Sequence, residues 1–205
     1  MNTLLISVLT VAVIHALAPD HWMPFVVTGR DRKWSLKKLI FITFISGVGH
    51  VGSSIVLGTL GLFLGFALTN LTNIESQRGT IAGLLLIGFG LAYAVWGLKQ
   101  IKHKAHHGEE SNHTTTIWTL IAIFVLGPCE PLIPLMFLSI QYGWSVVWLT
   151  SIIFGLTTIS MMLVQTIIAS TGIRIIATEK MEKWSHVLAG LAIALTGILV
   201  MVLGI

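Results

Sequence analysis

The chain has 205 residues, of which 55% are hydrophobic and 10% are charged, and its mean hydropathy is +0.90. A soluble domain of this length needs far less apolar sequence to form a core, so the composition excludes a soluble protein and predicts an all-α membrane protein. The net charge of +4 does not indicate a nucleic-acid partner, because basic residues in a membrane protein report its orientation in the bilayer. Cys129 is the only cysteine, which excludes an intramolecular disulfide and a two-cysteine redox relay.

Six apolar stretches are each long enough to cross a hydrocarbon layer of roughly 30 Å as a helix. They lie near residues 3–26, 37–69, 79–98, 117–139, 144–169 and 185–204. The first stretch lacks a charged n-region, so we expect it to be retained rather than cleaved. The second is long and rich in glycine, so we expect it to be tilted or broken. Little chain remains for a soluble domain.

Basic residues are concentrated on one side of the predicted membrane. Arg78 follows the second stretch, whereas the other basic residues follow the first, third and fifth stretches. Those residues are Arg30, Arg32, Lys33, Lys37, Lys38, Lys99, Lys102, Lys104, Arg174, Lys180 and Lys183. Because Lys and Arg favour cytoplasmic loops, we predict that the odd-numbered loops are cytoplasmic and that both termini are outside.

The first stretch ends in "HALAPDHWMP", which begins at His15. In an unbroken helix, Asp20 would lie about 140° and His21 about 240° around the axis from His15, so the three side chains could not converge. Pro19 and Pro24 change this, because proline has no N–H and its ring clashes with the carbonyl four residues earlier. The prolines therefore predict a broken helix, in which imidazole, carboxylate and backbone oxygen face one point in a cavity.

Two further segments carry histidine. His50 lies in "SGVGHVGSS", where small neighbours let an ion or another helix come close, although a lone histidine there is also typical of a hydrogen-bonded contact between helices. The third loop, residues 101–116, is either a solvated connector or a weak, exchangeable metal-collecting loop. Its histidines are His103, His106, His107 and His113.

The fourth stretch contains "GPCEPLIP", with Cys129 and Glu130 between prolines. A charged side chain at the bilayer centre costs at least about 2.5–3.5 kcal/mol, so the carboxyl group needs a partner, water or a cation. Glu130 alone is also compatible with a proton site, and Cys129 alone with a small buried apolar residue.

The two halves of the chain resemble one another. Glycines recur every seven residues in the third and sixth stretches at an offset of 107, and Pro19 aligns with Pro128 at an offset of 109. The glycines are Gly83, Gly90, Gly97, Gly190, Gly197 and Gly204. Because each unit has three spans, its second copy runs upside down, as in many transporters. We therefore predict six transmembrane helices in a 3+3 inverted repeat (residues 1–100 and 117–205), with helices 1 and 4 broken by proline and the glycines at close helix contacts.

A thiolate, two carboxylates and three imidazoles form a mixed sulfur, oxygen and nitrogen ligand set. Such a set suits Ni²⁺, Co²⁺ or Zn²⁺ and is poor for Mg²⁺ or Ca²⁺, which prefer oxygen ligands. The predicted metal ligands are His15, Asp20, His21, His50, Cys129 and Glu130.

Two motifs carry a resemblance to a known family. "HALAPDH" matches the H-x4-D-H signature of nickel/cobalt transporters, and "GHVGSS" from Gly49 resembles their second histidine-bearing segment. The chain thus resembles the six-span NicO-type nickel/cobalt permeases and urease-accessory transmembrane proteins. The resemblance implies inverted repeats, the inner membrane of a prokaryote, and Ni²⁺ or Co²⁺ transport through His15, Asp20, His21 and His50. "GPCEPLIP" also resembles the G-P-C-x-P element of DsbD/CcdA-type thiol-disulfide carriers, which implies a shared ancestral fold.

The leading hypothesis is a transporter of a divalent transition metal, without a prosthetic group or catalytic residues, whose site lies near the bilayer midplane. No G-x4-G-K-[ST] sequence occurs, so we expect the energy to come from an ion gradient or from a partner, either an accessory subunit or a second copy of the chain. Two alternatives remain. One is an intramembrane enzyme that acts on lipid through H-x4-D or metal-bound histidines, and the other is a carrier of thiols or sulfur compounds that uses Cys129.

Overall fold

The computed structural model describes residues 2–65, 68–102, 113–127, 129, 131–176 and 184–203. Within these ranges the regular structure is helical and contains no strand, which confirms the predicted all-α class. The α-helices are α1 (Asn2–Ala16), α2 (Met23–Asp31), α3 (Leu36–Leu64), α4 (Leu68–Lys102), α5 (His113–Leu126), α6 (Leu132–Ile140), α7 (Trp144–Ile176) and α8 (Ser185–Leu203). A single 3₁₀ turn, Pro19–His21, lies between α1 and α2.

Three helices in the described part of the chain are long and apolar enough to cross a membrane. Their apolar stretches are Leu36–Leu64, Thr80–Lys99 and Trp144–Gly172. Shorter apolar helices cover Asn2–Ala16, Ile117–Leu126 and His186–Leu199. Many large apolar side chains on these helices face outward, where a lipid environment suits them better than water. The helices therefore indicate a membrane-embedded protein.

Helix α3 covers residues 36–64 of the second apolar stretch without a break, so of the two expectations, a tilted or a broken helix, no break lies within α3. Ser35 caps the start of α3 by accepting a hydrogen bond from the Lys38 N–H at 3.3 Å. The helix then runs for 29 residues to Gly65, whose φ of 69° ends it in the left-handed region that favours glycine. Glycine inside a membrane helix permits close packing without breaking the helix.

The first apolar stretch is broken where the prolines predict. Helix α1 ends at Ala16 because Pro19 has no N–H to continue it, and Pro24 lies in the first turn of α2, where no N–H partner is needed. The carbonyl of His15 does not remain free, however. It accepts the Ala18 N–H at 3.2 Å, because the chain tightens into a 3₁₀ turn that satisfies the carbonyls at the helix end.

The second break lies between α5 and α6. Gly127, Cys129 and Pro131 are its described residues, and the Cys129 N–H donates to the hydroxyl oxygen of Ser54 on α3 at 3.1 Å. The two broken segments have similar layouts, since α1 and α2 have 15 and 9 residues and α5 and α6 have 14 and 9.

Helices α4 and α8 form the most extensive helix pair in the described part of the chain. A Cβ atom on Gly90 would lie 2.6 Å from the carbonyl oxygen of Gly190, and one on Gly190 would lie 2.5 Å from the carbonyl oxygen of Gly90. Only glycine permits this approach, so the predicted role of the repeating glycines in helix packing is confirmed for this pair. Gly204 lies outside the described residues.

Candidate metal centre

His15 and His21 meet at the first break. His15 lies in the last turn of α1, and His21 ends the 3₁₀ turn that follows. Their Nε2 atoms are 3.1 Å apart and their ring centroids are 4.4 Å apart. The break therefore brings together two imidazoles that a continuous helix would point in different directions.

His50 and Cys129 join this pair from two other elements. The His50 ring on α3 lies 5.0 Å from the His21 ring and 6.0 Å from the His15 ring. The Cys129 Sγ atom lies 3.5 Å from His15 Nε2. We call His15, His21, His50 and Cys129 the His/Cys cluster.

The His/Cys cluster is close to the size that a metal ion requires. One ligand atom from each of His15, His50 and Cys129 lies within 4.8 Å of the others. A tetrahedral ion with bonds of about 2.0–2.3 Å holds its ligand atoms roughly 3.3–3.8 Å apart. Side-chain movements of about 1 Å would therefore close the cluster around an ion.

Hydrogen bonds at Nδ1 of His21 and His50 determine which ring nitrogen of each histidine can bind a metal. His21 Nδ1 donates to the Asp20 carboxylate at 3.0 Å, and His50 Nδ1 donates to the carbonyl oxygen of Phe124 at 3.3 Å. A neutral imidazole that donates from Nδ1 carries its lone pair on Nε2, as in many metal sites where a carboxylate orients the histidine. Asp20 in this structure orients His21 and does not join the His/Cys cluster.

Burial of the His/Cys cluster is uneven. His21, His50 and Cys129 are buried, whereas Asp20 keeps 18% of its side chain exposed. His15 borders an open cavity of about 480 Å³, which is lined mostly by apolar atoms. The other lining residues are Val11, Ile14, Leu17, Ala18 and Pro131. The cavity thus reaches the His/Cys cluster at His15, whereas the other three members are buried.

The break after α1 is held by a residue that the sequence did not single out for the site. Gln165 on α7 donates from Nε2 to the carbonyl oxygen of Ala16 at 2.8 Å. This carbonyl lies at the end of α1, where the last carbonyl groups have no N–H partner within the helix. A lone glutamine in an apolar helix is the only sequence signal for this role.

Several predicted ligands cannot be compared with the structure. Pro128, the proposed counterpart of Pro19, lies outside the described residues. So do the predicted ligands Glu130, His103, His106 and His107. His113 begins α5, but its side chain is also outside the described part. Their metal-binding roles stay predictions.

A second polar cluster, which sequence reasoning missed, fixes the end of α2. The Asp31 side chain is only 1% exposed and accepts a hydrogen bond from the Tyr93 hydroxyl group on α4. His186 Nδ1 on α8 lies 2.7 Å from the same carboxylate. The Arg32 guanidinium stacks over the rings of Tyr93 and Trp96 at 5.1 and 5.3 Å. Asp31 lies in a charged run that reads as a surface loop, so nothing in the sequence separates it from its exposed neighbours.

Comparisons with family models, curated proteins and solved structures found no match to this chain. Any assignment of a function to this chain therefore rests on the chemistry of the His/Cys cluster.

Proposed function

We propose that this protein transports a divalent transition-metal ion across a membrane, with Ni²⁺ or Co²⁺ as the preferred substrate and Zn²⁺ as a further one. The observation that carries the proposal is the meeting of three imidazoles and one thiol inside a bundle of apolar helices. Polar groups in such a position cost free energy unless they share a partner, and a cation is the partner that all four accept.

The chemistry of the His/Cys cluster fits a late first-row ion. Imidazole nitrogen and thiolate sulfur suit nickel, cobalt and zinc, and they suit magnesium or calcium poorly. A Cys129 thiolate and the Asp20 carboxylate together supply two negative charges, which would balance a divalent ion in a low-dielectric environment. Glu130, which neighbours Cys129 in the sequence, is proposed as a further ligand or a proton site.

The packing of the helices supports a 3+3 inverted repeat of residues 1–100 and 117–205. Helix α1 packs against α7, and its proposed counterpart α5 packs against α3, the counterpart of α7. Both breaks contribute to the His/Cys cluster. Inverted repeats with a site between two discontinuous helices are the architecture of many secondary transporters.

The two alternatives fit the geometry less well. An H-x4-D enzyme needs the aspartate to orient the histidine of the motif, but Asp20 contacts His21 and not His15 among the described contacts. A thiol carrier needs an accessible sulfur, but Cys129 is 0% exposed.

We place the protein in the inner membrane of a prokaryote, with both termini outside. All basic residues except Arg78 then lie on the cytoplasmic side, and so does the histidine-rich loop, which would collect metal there. A gradient, an accessory subunit or a second copy of the chain would supply the energy.

Metal binding by the purified chain tests the proposal. The four loop histidines are first replaced by alanine, so that only intramembrane binding is counted. We expect about one Co²⁺ per chain, with a thiolate-to-cobalt charge-transfer band that disappears in Cys129→Ser. His15→Ala should lose the ion. Ser139→Ala, which removes a buried hydroxyl group on α6, serves as the matched control and should keep it.

Transport is tested with the same variants in liposomes that contain a metal-sensitive dye. We expect Ni²⁺ or Co²⁺ flux in the wild type and in Ser139→Ala, and none in His15→Ala. Equal flux in His15→Ala and the wild type would contradict the proposal, as would lipid turnover without metal movement.

A further inference from the structure

Five fully buried hydroxyl residues on α2, α3 and α7 have no hydrogen-bond partner in the described part of the chain. They are Thr28, Thr43, Ser46, Thr158 and Thr166. Each is 0% or 1% exposed. Native proteins satisfy most buried hydroxyl groups, because an unpaired one costs free energy. Five such groups on three neighbouring helices therefore need an explanation.

Helix contacts fix the levels of two of these residues. A Cβ atom on Gly47 would lie 3.4 Å from Met162 Sδ, and one on Gly155 would lie 3.0 Å from Val51, so α3 and α7 run antiparallel. Thr43 lies one turn before Gly47, and Thr166 lies one turn after Met162. Both hydroxyl groups are thus one turn from the Gly47–Met162 contact, towards the end of the bundle where α3 begins.

Helix α2 contributes a third hydroxyl group at this level. A Cβ atom on Gly29 would lie 2.8 Å from Leu39 of α3, and Phe25 packs in the same apolar cluster as Met162. Thr28 lies between Phe25 and Gly29 on α2, and Thr43 lies one turn beyond Leu39 on α3. Three helices therefore each supply a buried hydroxyl residue at about the same depth.

The remaining two residues connect this level to the His/Cys cluster. Thr43, Ser46 and His50 are spaced i, i+3 and i+7, which places them on one face of α3. Thr158 lies one turn before Met162 on α7, at the level of His50. We call the five residues the hydroxyl track. It runs from His50 towards the basic end of the bundle, where α2 ends and α3 begins.

We propose that the hydroxyl track lines the passage through which the metal ion moves between the His/Cys cluster and the basic end, and that α2 closes this passage in the present structure. The proposal rests on the transport function proposed above. Hydroxyl oxygens are neutral, weak ligands, so they can replace the water around a moving ion without trapping it. The ion would supply the partner that these groups lack when the passage is closed.

The surroundings of the hydroxyl track fit a closed passage. Phe25, Phe124 and Met162 belong to one buried apolar cluster on α2, α5 and α7, and the rings of Phe25 and Phe124 are 4.4 Å apart. Apolar constrictions of this kind close ion pathways by excluding water. Helix α2 has only nine residues and begins beside the Pro19–His21 break, so it can tilt without unfolding α1.

Cysteine accessibility tests the passage directly. Thr43→Cys, Ser46→Cys and Thr166→Cys are made one at a time in the full chain, and reaction with a small, charged thiol reagent is timed. Ser139→Cys and Ser151→Cys are matched controls, because these serines are equally buried but their hydroxyl groups are hydrogen-bonded. The wild type gives the background from the buried Cys129.

We expect the track variants to react several-fold faster than the controls, and Ni²⁺ or Co²⁺ to slow only the track variants. Equal rates in track and control variants would overturn the proposal. Metal binding by the wild type is measured in parallel. If the wild type binds no metal, the proposed function itself fails; if it binds metal but the track does not react, only the passage fails.

A second variant separates a passage from a merely structural role. Thr43→Val keeps the shape of the side chain and removes the unpaired hydroxyl group. We expect an unchanged or higher unfolding temperature, unchanged metal affinity of the His/Cys cluster and several-fold slower transport. Wild-type flux in Thr43→Val would overturn the proposal.

Discussion

At the scale of single residues, the proton positions of the histidines decide whether the His/Cys cluster can bind a metal. His21 and His50 each donate from Nδ1, one to Asp20 and one to the Phe124 carbonyl group. Their lone pairs are therefore on Nε2, and the Nε2 of His21 accepts a hydrogen bond from His15 Nε2 at 3.1 Å. An ion would replace the proton between His15 and His21, while the hydrogen bonds at Nδ1 of His21 and His50 stay in place.

Replacing the orienting carboxylate should weaken metal binding without abolishing it. In Asp20→Asn the amide is a poorer acceptor for His21 Nδ1, so the lone pair is less firmly held on Nε2. We expect the affinity for Ni²⁺ or Co²⁺ to fall about 10–100-fold with the stoichiometry unchanged, as measured by calorimetry. An unchanged affinity would show that Asp20 does not orient the ligand.

Metal binding should release protons, because thiol and imidazolium groups must lose theirs to bind a metal. Affinity should therefore fall as the pH is lowered. In weakly buffered solution near neutral pH, the wild type should release about one proton more per bound ion than Cys129→Ser. Equal proton release would argue against Cys129 as a ligand.

At the scale of elements, α4 and α8 form a tight pair, and α2 is fastened to both. The glycine contacts exclude side chains between α4 and α8, while Asp31 at the end of α2 binds Tyr93 on α4 and His186 on α8. Helix α2 also carries the first break at its other end. Any movement of α2 must therefore involve both the Asp31 contacts and the residues around His21.

A methyl group at the α4–α8 contact should destabilise the protein. In Gly90→Ala the added Cβ would lie 2.4 Å from the Ala194 nitrogen, a backbone atom that cannot move alone. We expect a loss of about 1–3 kcal/mol in the free energy of unfolding, measured by denaturation in detergent. Gly88→Ala is the matched control, because nothing lies within 4 Å of its added Cβ atom, and it should be neutral or stabilising.

Removing the Asp31 carboxylate should loosen α2. Asp31→Ala loses the hydrogen bonds to Tyr93 and His186, and bonds to a charged group contribute about 1.5–3 kcal/mol each. We expect a lower unfolding temperature and faster proteolysis near residues 30–35. Tyr93→Phe removes one of the two bonds and should show a smaller effect. Wild-type stability in Asp31→Ala would mean that these contacts do not hold the helix.

At the scale of the whole molecule, the features that followed from the sequence were those that local chemistry determines. Proline at position 19 cannot donate an N–H, so the first break and the meeting of His15 with His21 could be predicted from ten residues. The glycines at seven-residue intervals likewise predicted a close helix contact, because only small side chains permit one in lipid. Each of these predictions needed only the properties of a residue and its spacing.

The remaining features depend on which distant segments pack together. Tyr93 and His186 are 62 and 155 residues from Asp31, so no local pattern indicates that they share a carboxylate. Whether Asp20 faces the shared point or the ring of His21 depends on a single 3₁₀ turn. The glycines of the second stretch did not decide between a tilted and a broken helix, and α3 runs without a break from Leu36 to Leu64.

X-ray absorption by the purified chain loaded with one Zn²⁺, with the loop histidines replaced by alanine, tests the central claim most directly. We predict one sulfur neighbour at about 2.3 Å together with imidazole nitrogens at about 2.0–2.1 Å, and loss of the sulfur shell in Cys129→Ser. An ion surrounded only by oxygen, or a chain that retains no metal, would contradict the account.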